Sequence, residues 1–520
     1  MLLHHVLEAS AERHPEKIAL VFGEERLSYA ELDARADDAA QQLRDFGVRA
    51  GDRVATWLEN SVEAVVAIFA ALKAGAAFVP LNPQTRPPKV AFILRDCGAR
   101  VLVAPHANVT PEIQCAVLDL APRHPEPRRR RRISEGEILR FAQDDGGAAP
   151  EMLDLAPRHP EPRRRRRISE GDGGNHLAAI IYTSGSTGVP RGVMLTHGNM
   201  LAASSSIIEY LENTEDDVVL DFLPLSFDYG LYNVLMPIRF GGTVVLERTF
   251  IAPHQIVSLM RRERISGLPL VPTVAAGLAR LRSMEGYEFP HLRYITSTGQ
   301  ALPPAHIERL LAIFPDARLF SMYGLTECKR VSYLPPEELA RRPGSVGKAM
   351  PRTEAWIVDE HGARVERAGV VGELVVRGPH VMQGYWNRPE ETASALRNGL
   401  LHTGDLFRAD EDGFLYFVAR RDDLIKTAGQ RVSPREIENV ACTLDGVLEA
   451  VAFGIPDELL GQKIALVVRA AEGALTERDV IAHCEAHLEK YMVPRLVEIR
   501  RELPRTATGK VARREIAIGG

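Results

Sequence analysis

Two short apolar, β-branched runs, DRVATWL at 52–58 and ARVLVAP at 99–105, flank a helix-like apolar stretch around Val65. A strand, a covering helix and a second strand in that order bury their apolar faces as part of a largely parallel sheet with helices packed on it. The expected fold class is therefore α/β. The stretch VEAVVAIFAALKAGAAFVPLNP is broken by Lys73, Gly75 and Pro80, so it falls short of the ~20 apolar residues that span a bilayer. It reads as a buried helix feeding a buried strand, and no transmembrane segment is expected.

Upstream, LSYAELDARADDAAQQLRDFG places Leu32, Ala36, Ala39, Leu43 and Phe46 at steps of four and three, one face of a helix. Ser28 with Glu31 forms a capping box and Gly47 supplies the stop. Past residue 422 the pattern changes to a small α+β unit. There Ser433, Pro434 and Glu436 read as a helix cap, VLEAVAFG and KIALVVRA as strands, and TERDVIAHCEAHLEKY as a helix. The expected domains are 1–421 and 422–520, with a hinge near Asp422.

Net charge sets limits on partners. The 520 residues carry a net charge of -5, which argues against a general nucleic-acid binder. The exception is local: LDLAPRHPEPRRRRRISEG runs from 118 to 136 and again, letter for letter, from 153 to 171. Rich in Arg, Pro and Glu and without apolar periodicity, the region from about 106 to 175 reads as a low-complexity insertion in a surface connection. A catalytically dead scaffold that binds nucleic acid through these arginines is the rival reading from another class. The five cysteines, Cys97, Cys115, Cys328, Cys442 and Cys484, are odd in number and lack a CxxC pair, so neither a disulfide framework nor a zinc site is expected. With no secretory leader at the N-terminus, a reducing cytoplasm is the expected setting.

The chemistry concentrates in IIYTSGSTGVPRG, residues 180–192, an apolar strand that runs into Thr183, Ser184, Gly185, Ser186, Thr187 and Gly188. Glycines let a backbone approach an anion closely, and hydroxyls with free N–H groups donate to phosphate oxygens. The spacing is not that of a Walker loop. Later come STGQALP, SMYGLTE, HTGDLF, ARRDDLIKTAGQRVSPREIE and LPRTATGK, the last ending at Lys510.

Taken in order, these segments resemble the adenylate-forming superfamily, the enzymes that include acyl-CoA synthetases, firefly luciferase and peptide-synthetase adenylation domains. The resemblance covers nearly the whole chain outside the insertion. It implies a large N-terminal domain of mixed, mostly parallel sheets covered by helices, plus a small mobile C-terminal domain. It also implies ATP and Mg²⁺ as cofactors, a carboxylic acid as substrate, and CoA or the phosphopantetheine of an acyl carrier protein as thiol acceptor. A monomer or homodimer is the implied assembly.

By the same resemblance, Tyr323 stacks on adenine beside Gly324, Thr326 touches the α-phosphate and Glu327 holds Mg²⁺. Gly299, Gln300 and Ala301 wall the adenine pocket. Asp405 accepts from the ribose hydroxyls with Arg420 in support, and Arg431 joins the nucleotide site. Lys510 reaches the carboxylate and the α-phosphate together, a task suited to a long flexible cation. Asp422, Lys426 and Gly429 belong to the thioester step, for which rotation of the small domain withdraws Lys510 and brings Gly429 forward. Phe227, Asp228, Pro272 and Thr273 are the expected substrate pocket.

Three positions depart from the family pattern: Arg191 stands where lysine is usual after the loop proline, Ala419 where glycine precedes Arg420, and Phe227 where many CoA ligases have histidine. The Phe227–Asp228 pair is also where amino-acid-activating relatives hold a substrate's α-ammonium group. An amino-acid adenylating enzyme that loads a separate carrier protein is thus the alternative to a stand-alone acyl-CoA or acyl-carrier ligase.

Overall fold

The computed structural model describes residues 1–105, 113, 115–120, 173–184, 190–249, 252–279, 288–298, 302, 304–427, 430–457, 460–470, 473, 475–505 and 511–516. Among them the Val65 stretch is a helix, Val62–Lys73, capped by Ser61, whose side chain accepts from the Ala64 amide. Ten of its residues are buried, and it feeds the fully buried strand Ala77–Pro80. Burying one such side chain, Phe69 at 0% exposure, contributes about 1.5–3 kcal/mol.

That strand lies in a seven-stranded sheet ordered Gly384–Tyr385, Pro190–Thr196, Leu177–Ser184, Ala77–Pro80, Arg53–Thr56, Val101–Val103, Ala116–Leu118. The five strands from Leu177–Ser184 to Ala116–Leu118 run parallel to their neighbours, as the alternation requires. A nine-stranded sheet follows the same rule: parallel pairings join Ile18–Phe22, Thr243–Leu246, Val218–Asp221, Gly267–Leu270, Tyr294–Ser297 and Arg318–Tyr323, with antiparallel strands at both edges. An antiparallel sheet built on Gly372–Arg377, Leu400–Ala409 and Leu415–Arg420 completes the large core.

The N-terminal helix spans Tyr29–Asp45 with both halves of the Ser28–Glu31 capping box formed. Phe46 departs from expectation: it is 41% exposed because the helix ends one residue earlier and Gly47, at φ +84°, turns the chain away. The small unit has its own buried cluster, from Ile425 to Val497. Ser433 sits at the N-cap of the helix Pro434–Ala441 but does not cap it; its hydroxyl donates to the Val418 carbonyl instead. Proline at the first helical position already removes one amide that would need a partner. Asp422 falls in the single 3₁₀ turn Arg421–Asp423, between the last strand of the large core and the small unit.

One element of the insertion belongs to the core. Ala116–Leu118 adds a parallel edge strand beside Val101–Val103, with Leu118 opposite Val103 and 5% exposed. Ile113 is also buried. The first copy of the repeat therefore opens inside the sheet. Most of the two arginine-rich copies lies outside the described residues. Replacing residues 121–172 by a short Gly/Ser linker, which keeps that strand, is expected to preserve the melting temperature and turnover within a few-fold. Loop closure changes by only ~0.6 kcal/mol per doubling of length. Loss of adenylation in the shortened chain would show that the repeat works, whereas a selective rise in KM for a carrier protein would make it a docking arm.

Candidate active site

The parallel strands Tyr294–Ser297 and Arg318–Tyr323 are in register at Ser297 and Ser321, so they release Thr298 and the Gly324–Arg330 loop side by side. Carboxyl ends of such strands are where open α/β sheets bind ligands. The loop is held shut by the Val331 amide donating to the Tyr323 carbonyl at 2.9 Å and the Cys328 amide to Leu325 at 3.1 Å. Gly324 is required by close approach: a Cβ there would sit 2.2 Å from the Lys329 carbonyl oxygen.

Tyr323 donates its hydroxyl to Asp405 Oδ2 at 2.6 Å, and its ring meets Phe407 edge-on with centroids 4.8 Å apart. Asp405 faces Arg420 directly across the antiparallel pair, with Arg420 Nε 3.4 Å from Oδ1. Burial raises the Asp405 carboxyl above its ordinary value while Arg420 opposes that rise. The structure thus joins Tyr323, Asp405 and Arg420, which are far apart in the chain, into one group.

Glu327 belongs to a second group. Its Oε1 accepts from the Tyr385 hydroxyl at 2.8 Å. Arg191 lies 5.8 Å from the centroid of the Tyr385 ring and pairs with Glu391 at 2.5 Å. Burial and the Glu327 charge push the Tyr385 phenol well up, so it stays a donor. The strands on either side of the glycine-rich segment pair antiparallel: Leu177–Ser184 with Pro190–Thr196, Thr183 opposite Arg191 and Ser184 opposite Pro190. Gly185, Ser186, Thr187 and Gly188 lie outside the described residues, as do Gly299, Gln300, Ala301, Gly429 and Lys510. Arg505 and Val511, the described residues on either side of 506–510, form an antiparallel bridge. Val511 lines a cleft with Pro272 and His306 of the large domain. Pro272, which opens the helix Pro272–Ala279, thus borders the small domain.

Phe227 and Asp228 start the helix Asp228–Phe240. Asp228 is already engaged: Lys329 Nζ lies 3.5 Å from its carboxylate and donates to its carbonyl at 2.9 Å. Lys426 sits in the strand Ile425–Thr427, exposed, its amide donating to Gln462 at 2.7 Å. Arg431 lies in the adjacent strand Gln430–Val432.

Sequence reasoning missed Tyr385, Glu391, Lys329, Arg330 and Asp221. Asp221 ends the strand Val218–Asp221 at 0% exposure, its Oδ1 accepting from Leu223 and Asn233. Burial pushes its carboxyl up to about 8. The unfolded chain releases this proton near 3.8 whereas the folded chain keeps it. The folded state therefore binds more protons between those values, and stability falls as pH rises through them. Asp221→Asn, which cannot ionise, is expected to melt above the parent at pH 7, with the gap closing towards pH 4. A gap independent of pH would contradict the assignment.

A family model described as "AMP-binding enzyme" matches residues 7–386, and one described as "AMP-binding enzyme C-terminal domain" matches residues 436–510. The long-chain-fatty-acid–CoA ligase of Bacillus subtilis (strain 168) is 29% identical over 528 residues, 99% of this chain and 94% of that protein. A feruloyl-CoA synthase of Amycolatopsis sp is 33% identical over 513 residues, 97% of this chain and 96% of that protein. Among solved structures, O-succinylbenzoate coenzyme A synthetase (MenE) from Bacillus subtilis, in complex with ATP and magnesium ion, superposes with a TM-score of 0.80 at 28% identity, covering 98% of both chains.

Proposed function

This chain belongs to the AMP-binding enzyme family and is an AMP-forming ligase of the acyl-CoA synthetase kind; we propose that it activates an organic acid rather than an amino acid and passes it to CoA. The observation that carries the choice of substrate is the buried contact between Asp228 and Lys329. A carboxylate already facing a lysine ammonium has its attraction for an incoming α-ammonium group largely cancelled, and displacing that lysine would strand a buried cation.

The enzyme uses ATP with Mg²⁺ and CoA. A carboxylate is a poor electrophile. One of its oxygens attacks the α-phosphorus of ATP, pyrophosphate leaves, and the CoA thiol then attacks the acyl carbon, releasing AMP and a proton. The chain's task in the first step is to orient two anions and offset their repulsion. Thr326 and the glycine-rich segment after Thr183 are assigned to the phosphates, and Asp405 with Arg420 to the ribose. Glu327 suits Mg²⁺, a hard cation that takes one or two carboxylates plus substrate phosphates: among the described residues Tyr385 occupies one of its carboxylate oxygens, Oε1. Bound there, Mg²⁺ would neutralise phosphate charge. Arg191, fixed beside Tyr385 and Glu391, keeps a cation at the edge of the phosphate loop.

A cytoplasmic location accords with the five cysteines, all free thiols. Among the described residues no helix is long and apolar enough to cross a membrane. Incubation with ATP, Mg²⁺ and a panel of fatty, aromatic and amino acids, offering both CoA and a pantetheinylated carrier protein, tests the proposal. Thioester on CoA from an organic acid is the expected product. Strong activation of an amino acid, or thioester on the carrier with CoA inert, would reverse it.

A further inference from the structure

Directly after Thr326 and Glu327 the loop turns inward and buries two adjacent cations, Lys329 at 3% exposure and Arg330 at 2%. Lys329 takes a left-handed backbone, φ +60°, which L side chains rarely adopt. The turn aims its ammonium between the rings of Tyr229 and Tyr232, 5.1 and 4.7 Å from their centroids. Arg330 Nη1 donates to Thr298 Oγ1 at 2.6 Å, and its guanidinium lies 5.6 Å from the Tyr229 ring centroid. Its Nε is buried with no hydrogen-bond partner, and no carboxylate lies within ion-pair distance of it among the described residues.

A buried guanidinium without a carboxylate is costly unless something else supplies the negative charge. The surroundings supply little. A cavity beside the helix Asp228–Phe240 is lined by Tyr229, Asn233, Thr296, Met322, Lys329 and Arg330, and the Tyr229 hydroxyl is taken up by Thr296. The position is also apt: Arg330 is four residues past Thr326 and is bonded to the residue before Gly299.

We propose that Arg330, beside the Lys329–Asp228 pair, recognises a second carboxylate on the acid substrate, remote from the one that is adenylated, so that the enzyme selects dicarboxylic over equally long monocarboxylic acids. This deepens, and rests on, the reading of the chain as an organic-acid ligase. Arg330 offers the planar donor fork that matches a carboxylate. A pocket built around such donors discriminates strongly against an analogue that lacks the acceptor, because the donors are then left unpaired.

The test compares matched pairs, octanedioic with octanoic acid and 4-carboxycinnamic with 4-methylcinnamic acid, by acid-dependent pyrophosphate release from the full chain. The expected result is a kcat/KM at least ~10²-fold higher for the dicarboxylic member of one pair. Arg330→Met is expected to reduce that ratio to a few-fold through a raised KM for the dicarboxylic acid, and Arg330→Lys to restore part of it. Calorimetric binding of the same dicarboxylic acid in the presence of AMP should weaken in parallel. Equal or inverted preference in the wild type would overturn the inference while leaving the ligase reading intact, since pyrophosphate is then still released. If no acid of the panel releases pyrophosphate, the ligase reading fails and the inference with it. An equal loss for both members in Arg330→Met, together with a lowered melting temperature, would mean that Arg330 only braces Thr298 and would also overturn it. Should that variant not fold, the wild-type ratio alone decides.

Discussion

Lys510→Ala is expected to lower acid-dependent adenylate formation by at least ~10²-fold, the typical effect of removing one preorganised partner of a developing anion. Thioester formation from supplied acyl-AMP should largely persist. The separation follows from the order of the reaction: the charge that needs a cation develops at the α-phosphate in the first step, whereas the second step is thiol attack on an acyl carbon already activated. Arg505 and Val511, on either side of this lysine's segment, form a bridge, and Val511 borders the cleft with Pro272. A loss of both half-reactions together, or of neither, would refute the division of labour between Lys510 and the Lys426–Gly429 segment.

Asp405→Ala should act on nucleotide binding. If Asp405 accepts from both ribose hydroxyls as assigned, its removal withdraws two charge-assisted hydrogen bonds, each about 1.5–3 kcal/mol, and KM for ATP is expected to rise by ~10²-fold or more. Part of the effect arises within the protein, because Tyr323 loses the acceptor at 2.6 Å and Arg420 its nearest carboxylate. Steady-state kinetics at saturating acid and CoA measure the change. An unaltered KM for ATP would remove Asp405 from the nucleotide site. A fall in kcat with KM constant would move its role to the chemical step.

The parts of the fold legible in the sequence were those set by local rules. The Ser28–Glu31 capping box, the apolar helix through Val65 and the strands at 53–56 and 101–103 depend on neighbours a few residues away, and they stand where spacing puts them. Phe46 shows the limit of periodicity: it continued the apolar face on paper, but the helix stopped first. The edge strand Ala116–Leu118 was not legible, because three residues carry no pattern and its existence depends on pairing with Val101–Val103.

The site divides in the same way. Thr326, Glu327, Asp405 and Lys510 stood out because their segments resemble a family signature. Tyr385 and Glu391 did not, since their link to Glu327 and Arg191 is made only by the folding of distant segments onto one another. Lys329 and Arg330 left a faint signal, two adjacent cations between Cys328 and the apolar Val331. Burial, which sequence does not report, is what separates that pair from a solvated face.

The most direct test of the account follows the fate of α-labelled ATP with acid and CoA present and with each omitted in turn. The account predicts AMP and pyrophosphate in equal amounts, matched by acyl thioester, with acyl-AMP accumulating when CoA is left out and no cleavage when acid is left out. Cleavage to ADP and phosphate, or AMP formation that does not depend on acid, would contradict it.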